Sequence, residues 1–458
     1  GQPSNVFTLL PVAGGSSNMS SGLNSSVGGG YSNLSSQTSS TIGGGYDNTS
    51  SGQQSTVGGG ISNVASGTSS TVGGGASNIS NSSYTTVSGG QNNQSTSQYA
   101  TVGGGYQNRA TASSATVGGG YSNIASAANA TVGGGTNNLA SAVNSTVGGG
   151  TANLATHANS TVGGGSSNLS QAVGSTVSGG NNNTNTEQYG TIGGGTDNLQ
   201  TSLSGTIGGG MNNTVRNNSN VSVIGGGREN TIGENSYYGT IGGGYLNTLP
   251  NVDSATIGGG TNNTIVNESD ASTISGGLDN TITTNSLLGS IGGGWQNVIN
   301  NTDSATIGGG SVNSILNESD GSTIGGGSDN LVTTTATINT IGGGRMNTAN
   351  NTDSSTIGGG TNNSILTDAD GSTIGGGSNN TIQTNSLMGT IGGGWTNTVT
   401  NTDSATIGGG AFNSIVDESD GSTIGGGSDN LVTTTATINT IGGGRMNTAN
   451  NTDSSTIG

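Results

Sequence analysis

A glycine triplet returns along this chain at a fixed distance, and that period constrains the fold more than any other feature of the sequence. From Gly28 the first glycine of the triplet recurs every 15 residues as far as Gly208, with serine in its place at Ser88 and Ser178. Beyond Gly208 the steps run 17, 17 and 16, so that 50 residues form a block of three units. A flexible glycine-rich linker has no reason to keep such a frame, so we expect an ordered repeat structure.

Each repeat has room for two brief strands and a glycine turn, which is typical of one coil of a solenoid. The sequence therefore predicts an all-β fold, a parallel β-solenoid or β-roll of about 29 short coils. We expect a leader or connection to a preceding segment over 1–12 and a neutral solenoid of 15-residue coils over 13–210. An acidic solenoid of 50-residue blocks, the last one incomplete, is expected over 211–458.

Three columns of the repeat point to coils stacked in register. The residue before each triplet is valine or isoleucine, and we expect this β-branched row to face inward. The threonine before it must face the other way by strand alternation, which predicts an outer threonine ladder. An asparagine stands three residues after the last glycine, where we expect it to bond to its own turn and stack on the next coil. This structural ladder is represented by Asn138, Asn153, Asn168, Val132, Val147, Val162, Ile257 and Ile307.

A second apolar position beyond the asparagine completes the predicted core. In the 15-residue coils it is expected directly after the asparagine, at Leu34, Val64, Ile124, Leu139, Leu154 and Leu169. In the longer coils it is expected one residue later, at Ile265, Ile282, Ile315, Ile365 and Ile382. Two apolar side chains in each coil make a thin core, so we expect chains to associate along their length, most simply as a parallel homotrimer that shares an apolar axis.

The negative net charge and the scarcity of reactive side chains argue against several functional classes. The chain has a net charge of −17, no cysteine and 1 histidine, His157, in a variable position of one repeat. No Ser/His/Asp or metal-binding set can be assembled from that histidine, so we expect neither an enzyme nor a tightly bound cofactor. The negative charge disfavours nucleic acid as a partner. No segment approaches the roughly 18 apolar residues that a membrane-spanning helix needs.

Runs such as STVGGGISNVASGTS and ATVGGGYSNIASAAN resemble the GGG-x-x-N head repeats of trimeric autotransporter adhesins and of phage and viral fibre proteins. The resemblance covers residues 13–210, whereas the 17, 17, 16 block is longer than the usual head coil. It implies a left-handed parallel β-roll with three chains side by side, in a surface-attached fibre that binds cells or matrix. A triple β-spiral shaft, which also favours repeats near fifteen residues, is the alternative.

An acidic column stands five residues before most triplets of the long coils. Its members are Asp253, Asp270, Asp303, Asp320, Asp353, Asp370, Asp403 and Asp420. Two adjacent coils would place such carboxylates about 5 Å apart, where they repel one another unless they share a cation. Solvated acidic turns and a shared Ca²⁺ are both open interpretations, and Ca²⁺ is the single cofactor that the sequence suggests.

Other columns carry side chains that could contact a ligand. Aromatic residues just after the triplet, at Tyr31, Tyr46, Tyr106, Tyr121, Trp295 and Trp395, could stack on sugars. The outer threonines, with a serine two residues earlier, could form the flat hydroxyl array of an ice-binding solenoid. Every third long coil adds one more apolar residue, at Leu288, Ile338, Met388 and Ile438, which we expect to fill the core rather than to form a docking row.

These observations favour a non-enzymatic structural and adhesive fibre outside the cell, on a cell surface or on a virion. Its partners would be further copies of itself and a receptor or surface glycan, which the sequence does not identify. Two alternatives remain, an ice-binding solenoid and a tailspike-like protein that binds or depolymerises polysaccharide. The acidic residues form regular columns and not a catalytic groove, which favours the fibre.

Overall fold

The computed structural model describes residues 15–458, so the predicted leader over 1–12 lies outside the described residues. The chain divides into two compact units, Gly1–Thr214 and Val215–Gly458, called the first and second unit below. The described residues form strands, turns and bends, and no helix. Within each unit successive strands pair in parallel, so the prediction of an all-β parallel β-solenoid is confirmed.

Each coil contributes one strand to each of two sheets. Strands of the triplet sheet comprise the residue before the Val or Ile and that residue itself, from Ser26–Val27 to Thr456–Ile457. Strands of the asparagine sheet begin directly after the ladder asparagine, from Met19–Ser20 to Thr448–Asn450. Most strands have two residues. Those with three are Thr281–Thr283, Val298–Asn300, Ser314–Leu316, Leu331–Thr333, Thr348–Asn350, Ser364–Leu366, Thr398–Thr400, Ser414–Val416, Leu431–Thr433 and Thr448–Asn450.

Successive coils of each unit pair in a register that follows the sequence repeat. In the first unit Val147 pairs with Val162 in the triplet sheet, while Leu139 pairs with Leu154 in the asparagine sheet. A third, narrower line of parallel bridges joins the residues just after the triplets, such as Thr136 with Thr151. The described chain makes about 27 turns. The count of 29 expected from the sequence includes the partial copies at residues 13–15 and at Gly458.

The β-branched row before the triplet forms one wall of the core. Val132, Val147, Val162, Ile257 and Ile307 are all fully buried. The threonines before them lie on the opposite face of the strands and are mostly half-buried. This arrangement follows from strand alternation, which sends neighbouring side chains to opposite faces of a sheet.

The opposite wall of the first unit differs from the prediction. Leu139 and its equivalents, Leu34, Val64, Ile124, Leu154 and Leu169, are half-buried and lie on the outer face of the asparagine sheet. The small residue that follows each of them is buried instead, as at Ser35, Ala65, Ala125, Ala140, Ala155 and Ser170. The prediction was wrong because the buried asparagine already faces inward, and the next inward position of the strand is two residues later, not one.

In the second unit the same inward position holds a large residue in most coils and alanine at Ala349 and Ala449. Ile265, Ile282, Ile315, Ile365 and Ile382 are fully buried, as predicted. Volume is balanced across the core, because a Cβ on Gly289 would lie 3.2 Å from the Cγ2 of Ile282. Gly389 stands in the same relation to Ile382, at 3.3 Å. The glycines opposite these isoleucines therefore make room for them, in keeping with the close packing of protein interiors.

The first and third positions of the triplet lie close to the backbone of the next coil, although the first position also accepts serine, as at Ser88, Ser178 and Ser275. A Cβ on Gly165 would lie 2.1 Å from the carbonyl oxygen of Gly180, and Gly165 also has a φ of +86°. A Cβ on Gly163 would lie 2.3 Å from the carbonyl oxygen of Ser178. No atom lies within 4 Å of the Cβ position of Gly164. The triplet thus lets neighbouring backbones approach closely at its first and third positions.

Candidate binding surface

The asparagine ladder holds the coils at a fixed spacing and so positions every outer side chain. Asn153 donates its backbone amide to the Oδ1 of Asn138 at 2.9 Å. Its Nδ2 donates to Gly149 of its own turn at 2.8 Å and to Gly165 of the next coil at 2.9 Å. These side chains are essentially fully buried, so each amide group satisfies backbone groups that water cannot reach.

The acidic column lies on the surface, where its carboxylates are bonded to backbone amides. The Oδ1 of Asp270 accepts the amide of Asp253, one coil earlier, at 2.7 Å. Asp353 accepts both the amide and the hydroxyl of Thr337, at 2.9 and 2.7 Å. The amide of one aspartate also bonds to the carboxylate of the next in three other pairs, Asp303 with Asp320, Asp353 with Asp370 and Asp403 with Asp420. Each carboxylate therefore ties its own coil to the preceding one.

Between residues 15 and 458, no three His, Cys, Asp or Glu side chains are grouped closely enough to hold a metal ion. Asp368, Asp403, Glu418 and Asp420 do line one open depression of the second unit. The calcium hypothesis stays a prediction. Within this group the carboxylates of Asp403 and Asp420 accept the backbone amides of Leu387 and Asp403.

The tyrosines after the triplets pair along the direction of coil stacking. The rings of Tyr31 and Tyr46 stack with centroids 5.3 Å apart and planes 11° apart. Tyr106 and Tyr121 stack in the same way at 5.2 Å and 15°. Because one face of each ring covers its neighbour, a pair presents its two outer faces and its edges to a ligand.

The tryptophans of the second unit lie in the same column and are exposed. Trp395 makes an edge contact with Phe412 of the next coil, with centroids 4.6 Å apart. Trp295 is similarly exposed beside Val312. At the start of this column Arg228 lies over the ring of Tyr245, 4.8 Å from its centroid. A hydrogen bond to the Glu229 carboxylate, together with its charge, raises the pKa of Arg228 above its ordinary value.

Sequence reasoning missed a further aromatic pair on a different corner of the coil. Tyr84 and Tyr99 stack at 5.2 Å and 12°, and both are about half exposed. Their shared spacing of 15 residues in an otherwise variable column was the available indication. Both have φ values near +60°, which directs these rings outward from a left-handed corner.

The additional apolar residues of the long coils do not fill the core, contrary to the prediction. Leu288, Ile338, Met388 and Ile438 are exposed, with 61% to 66% of their surface accessible. Their φ values are positive, and a residue at such a corner directs its side chain away from the coil. Tyr238 stands 50 residues before Leu288, is 62% exposed and belongs to the same series. We call these five residues the apolar row.

No model of a known protein family matches this chain, and a search of curated proteins found no significantly similar sequence. Across residues 15–458 there is also no helix long and apolar enough to cross a membrane.

His157 is exposed, with its Nδ1 3.3 Å from the Oγ1 of Thr156.

Proposed function

We propose that the protein is a structural and adhesive fibre that works outside the cell, on a cell surface or a virion. The observation that carries the proposal is the uninterrupted ladder within each unit, in which every coil donates backbone and asparagine hydrogen bonds to the next. Such a stack gains length without changing its cross-section, because each coil contacts its neighbours alone. A long, chemically uniform support is what a fibre needs and what an enzyme does not.

Lateral association of identical chains completes this fibre. In the first unit Ile124, Leu139, Leu154 and Leu169 form a stripe of aliphatic side chains on four successive coils. This stripe is half-buried in a single chain, so a matching stripe can cover the rest. Covering it gains on the order of 1 kcal/mol per side chain, repeated along the stack. A parallel homotrimer brings three equal stripes to one axis.

Light scattering on the full chain tests the assembly. The expected mass is three times the 43.8 kDa of one chain, or a multiple of that value where trimers associate further. Replacing the four stripe residues with serine should lower the mass threefold, while circular dichroism still reports β structure. As a control, Asn129→Ser, Asn144→Ser and Asn159→Ser change an exposed column of the same coils, where other coils already carry serine. A wild-type chain that is monomeric would contradict the trimer.

Adhesion is assigned to the aromatic columns, because exposed aromatic rings combine an apolar face with a polar edge and suit stacking on sugars. Tyr31 with Tyr46 and Tyr106 with Tyr121 offer paired rings, and Trp295 and Trp395 offer larger single ones. A glycan array probed with the full chain tests this assignment. Binding should fall when all six aromatic residues become serine and should persist in Ile61→Ser, an exposed apolar residue of the same column. Absence of binding to any glycan would remove sugar recognition from the proposal.

A second candidate function rests on the threonine ladder. Thr86, Thr101, Thr116 and Thr131 pair in register on the outer face of the triplet sheet, which places hydroxyl groups at strand spacing. A regular hydroxyl array of this kind suits an ice surface. Thermal hysteresis in a solution of the full chain tests it, and its absence would leave the fibre as the single candidate.

A further inference from the structure

In the second unit the apolar row places an exposed apolar side chain on left-handed backbone at every third coil. Tyr238, Leu288, Ile338, Met388 and Ile438 have φ values between +53° and +57°. Left-handed backbone is unfavourable for residues other than glycine, asparagine and aspartate, and most of all for β-branched isoleucine. Exposure of these side chains to water adds a second cost, so a single chain gains little from large apolar residues at this corner.

The positions of the apolar row stay apolar although the neighbouring residues of the corner change. Residues 284–289 read TNSLLG, whereas residues 334–339 read TTATIN, and the two corners share little beyond the large apolar residue. Residues 384–389, TNSLMG, keep the position apolar with a third side chain. A contact that accepts leucine, isoleucine or methionine requires apolar volume and not a particular shape.

Small residues separate the members of the row. The two coils between Leu288 and Ile338 place Ser304 and Gly321 at the same corner, and Ser354 and Gly371 follow in the next block. The Cγ1 of Ile338 lies 3.7 Å from the Cβ position of Gly321, so the isoleucine leans over the preceding coil. Projections and depressions therefore alternate along this corner, with a period of three coils or about 14 Å.

Charge follows the same three-coil period. The corners that carry Leu288, Ile338, Met388 and Ile438 contain no acidic residue, as residues 284–289 and 334–339 show. The preceding corner is strongly acidic, with NESDGS at residues 317–322, and the remaining one carries a single aspartate. Two such surfaces repel each other when acidic corners face acidic corners. Repulsion falls when the apolar corner of one faces the acidic, glycine-containing corner of the other.

We propose that the apolar row is a docking surface for a second copy of this chain, with the projections of each copy seated between those of the other. Only a surface with the same 14 Å period can fill every depression, and this chain itself carries that surface. The offset that interleaves the projections is also the offset that separates the acidic corners. This contact is distinct from the stripe of the first unit and would join neighbouring fibres or subunits side by side.

Sedimentation of the full chain tests the proposal. The variant Leu288→Ser, Ile338→Ser, Met388→Ser and Ile438→Ser should reduce the weight-average mass at least twofold relative to wild type. The control Val312→Ser, Met346→Ser, Phe412→Ser and Met446→Ser changes four exposed apolar residues that also have positive φ but lie on another corner. Its mass should equal that of wild type. Sodium chloride should raise the mass of wild type, because it screens the acidic corners.

A second variant addresses the depressions. Gly321→Asn, Gly371→Asn and Gly421→Asn keep a residue that tolerates left-handed backbone and fill the space beside each projection. This variant should lose mass to the same extent while keeping its circular dichroism and thermal midpoint. Equal masses for wild type and both row variants would overturn the proposal, as would a control variant that dissociates equally. If the stripe variant dissociated and the row variants did not, the trimer proposal would stand and the proposed second contact would be wrong.

Discussion

The Oδ1 of Asn153 accepts the backbone amide of Asn168, one coil further on, at 3.0 Å. In the same residue the Nδ2 group bonds to carbonyl oxygens of its own turn and of the next coil. One buried side chain therefore satisfies three backbone groups from two coils, which explains why the asparagine stays fixed while its neighbours vary.

Removing one rung of this ladder should open the stack locally. Asn138→Ala removes the acceptor of the Asn153 amide and the donor to the carbonyl oxygens of Gly134 and Gly150, of which the Gly150 oxygen still accepts the Thr136 amide. Unsatisfied buried groups cost about 1 to 3 kcal/mol each, so we expect a loss near 3 kcal/mol and roughly 100-fold faster exchange of the Asn153 amide. The matched control is Asn137→Ala, because the equivalent position of the next coil is already Ala152. Equal exchange in both variants would show that the ladder contributes nothing.

The glycine triplet should tolerate substitution at its centre and not at its end. Gly165→Ala must relieve a contact with the Gly180 carbonyl and adopt an unfavourable φ, so we expect a loss of at least about 2 kcal/mol. Gly164→Ala places its methyl group in open space and should change stability by less than about 0.5 kcal/mol. Local hydrogen exchange and thermal melting of the two variants measure the difference. A Gly165→Ala chain as stable as wild type would contradict the packing of the triplet.

Neighbouring residues of the asparagine sheet should respond to substitution in opposite ways. Ala140→Leu overfills a fully buried site and should cost about 1 to 3 kcal/mol or more. Leu139→Ser changes an outward, half-buried side chain and should have little effect on the stability of a single chain. Denaturant unfolding of the two variants decides the matter. If Leu139→Ser proved the more damaging at the same oligomeric state, leucine would be the inward residue after all.

The aspartate column should stabilise the coils because its carboxylate oxygens accept hydrogen bonds, and not because of its charge. Asp353→Asn keeps an acceptor for the amide and hydroxyl of Thr337, so its thermal midpoint should stay close to that of wild type. Asp353→Ala loses both bonds and should be less stable by about 1 kcal/mol. Titration of wild type with calcium should release no measurable heat. A calcium-dependent rise in the midpoint that Asp353→Asn abolishes would instead support the calcium hypothesis.

Much of the fold could be read from the sequence because the repeat makes each structural requirement visible many times. The valine row, the asparagine column and the parallel stacking all follow from period, β-branching and side-chain alternation. The sequence did not predict which residue of each strand in the asparagine sheet faces inward. Leu139 is the larger residue, and Ala140 gives little indication that it is buried. The core of most 15-residue coils is lined by alanine or serine at this position, and by Asn185 and Gln200 in two others, so hydrophobicity alone selects the wrong neighbour.

The candidate binding surface was less accessible to sequence reasoning. Exposure of Leu288 and Ile338 depends on a left-handed corner that no residue pattern indicates, because isoleucine is among the least expected residues there. Stacking of Tyr31 on Tyr46 follows from the repeat length, whereas the edge contact of Trp395 with Phe412 joins two different positions of the repeat and does not. Hydrogen bonding by the aspartates was also hidden, since the sequence shows where carboxylates lie but not which amides they face.

Amide hydrogen exchange at Asn138, Asn153 and Asn168 tests the central claim of stacked coils most directly. Each of these amides donates to the side chain of the preceding ladder asparagine in a buried site, so the account predicts exchange slower than in an unfolded chain by orders of magnitude. Exposed amides of the same coils supply an internal reference. Exchange of all three at the rate of an unstructured peptide would contradict the stacked solenoid and every proposal built on it.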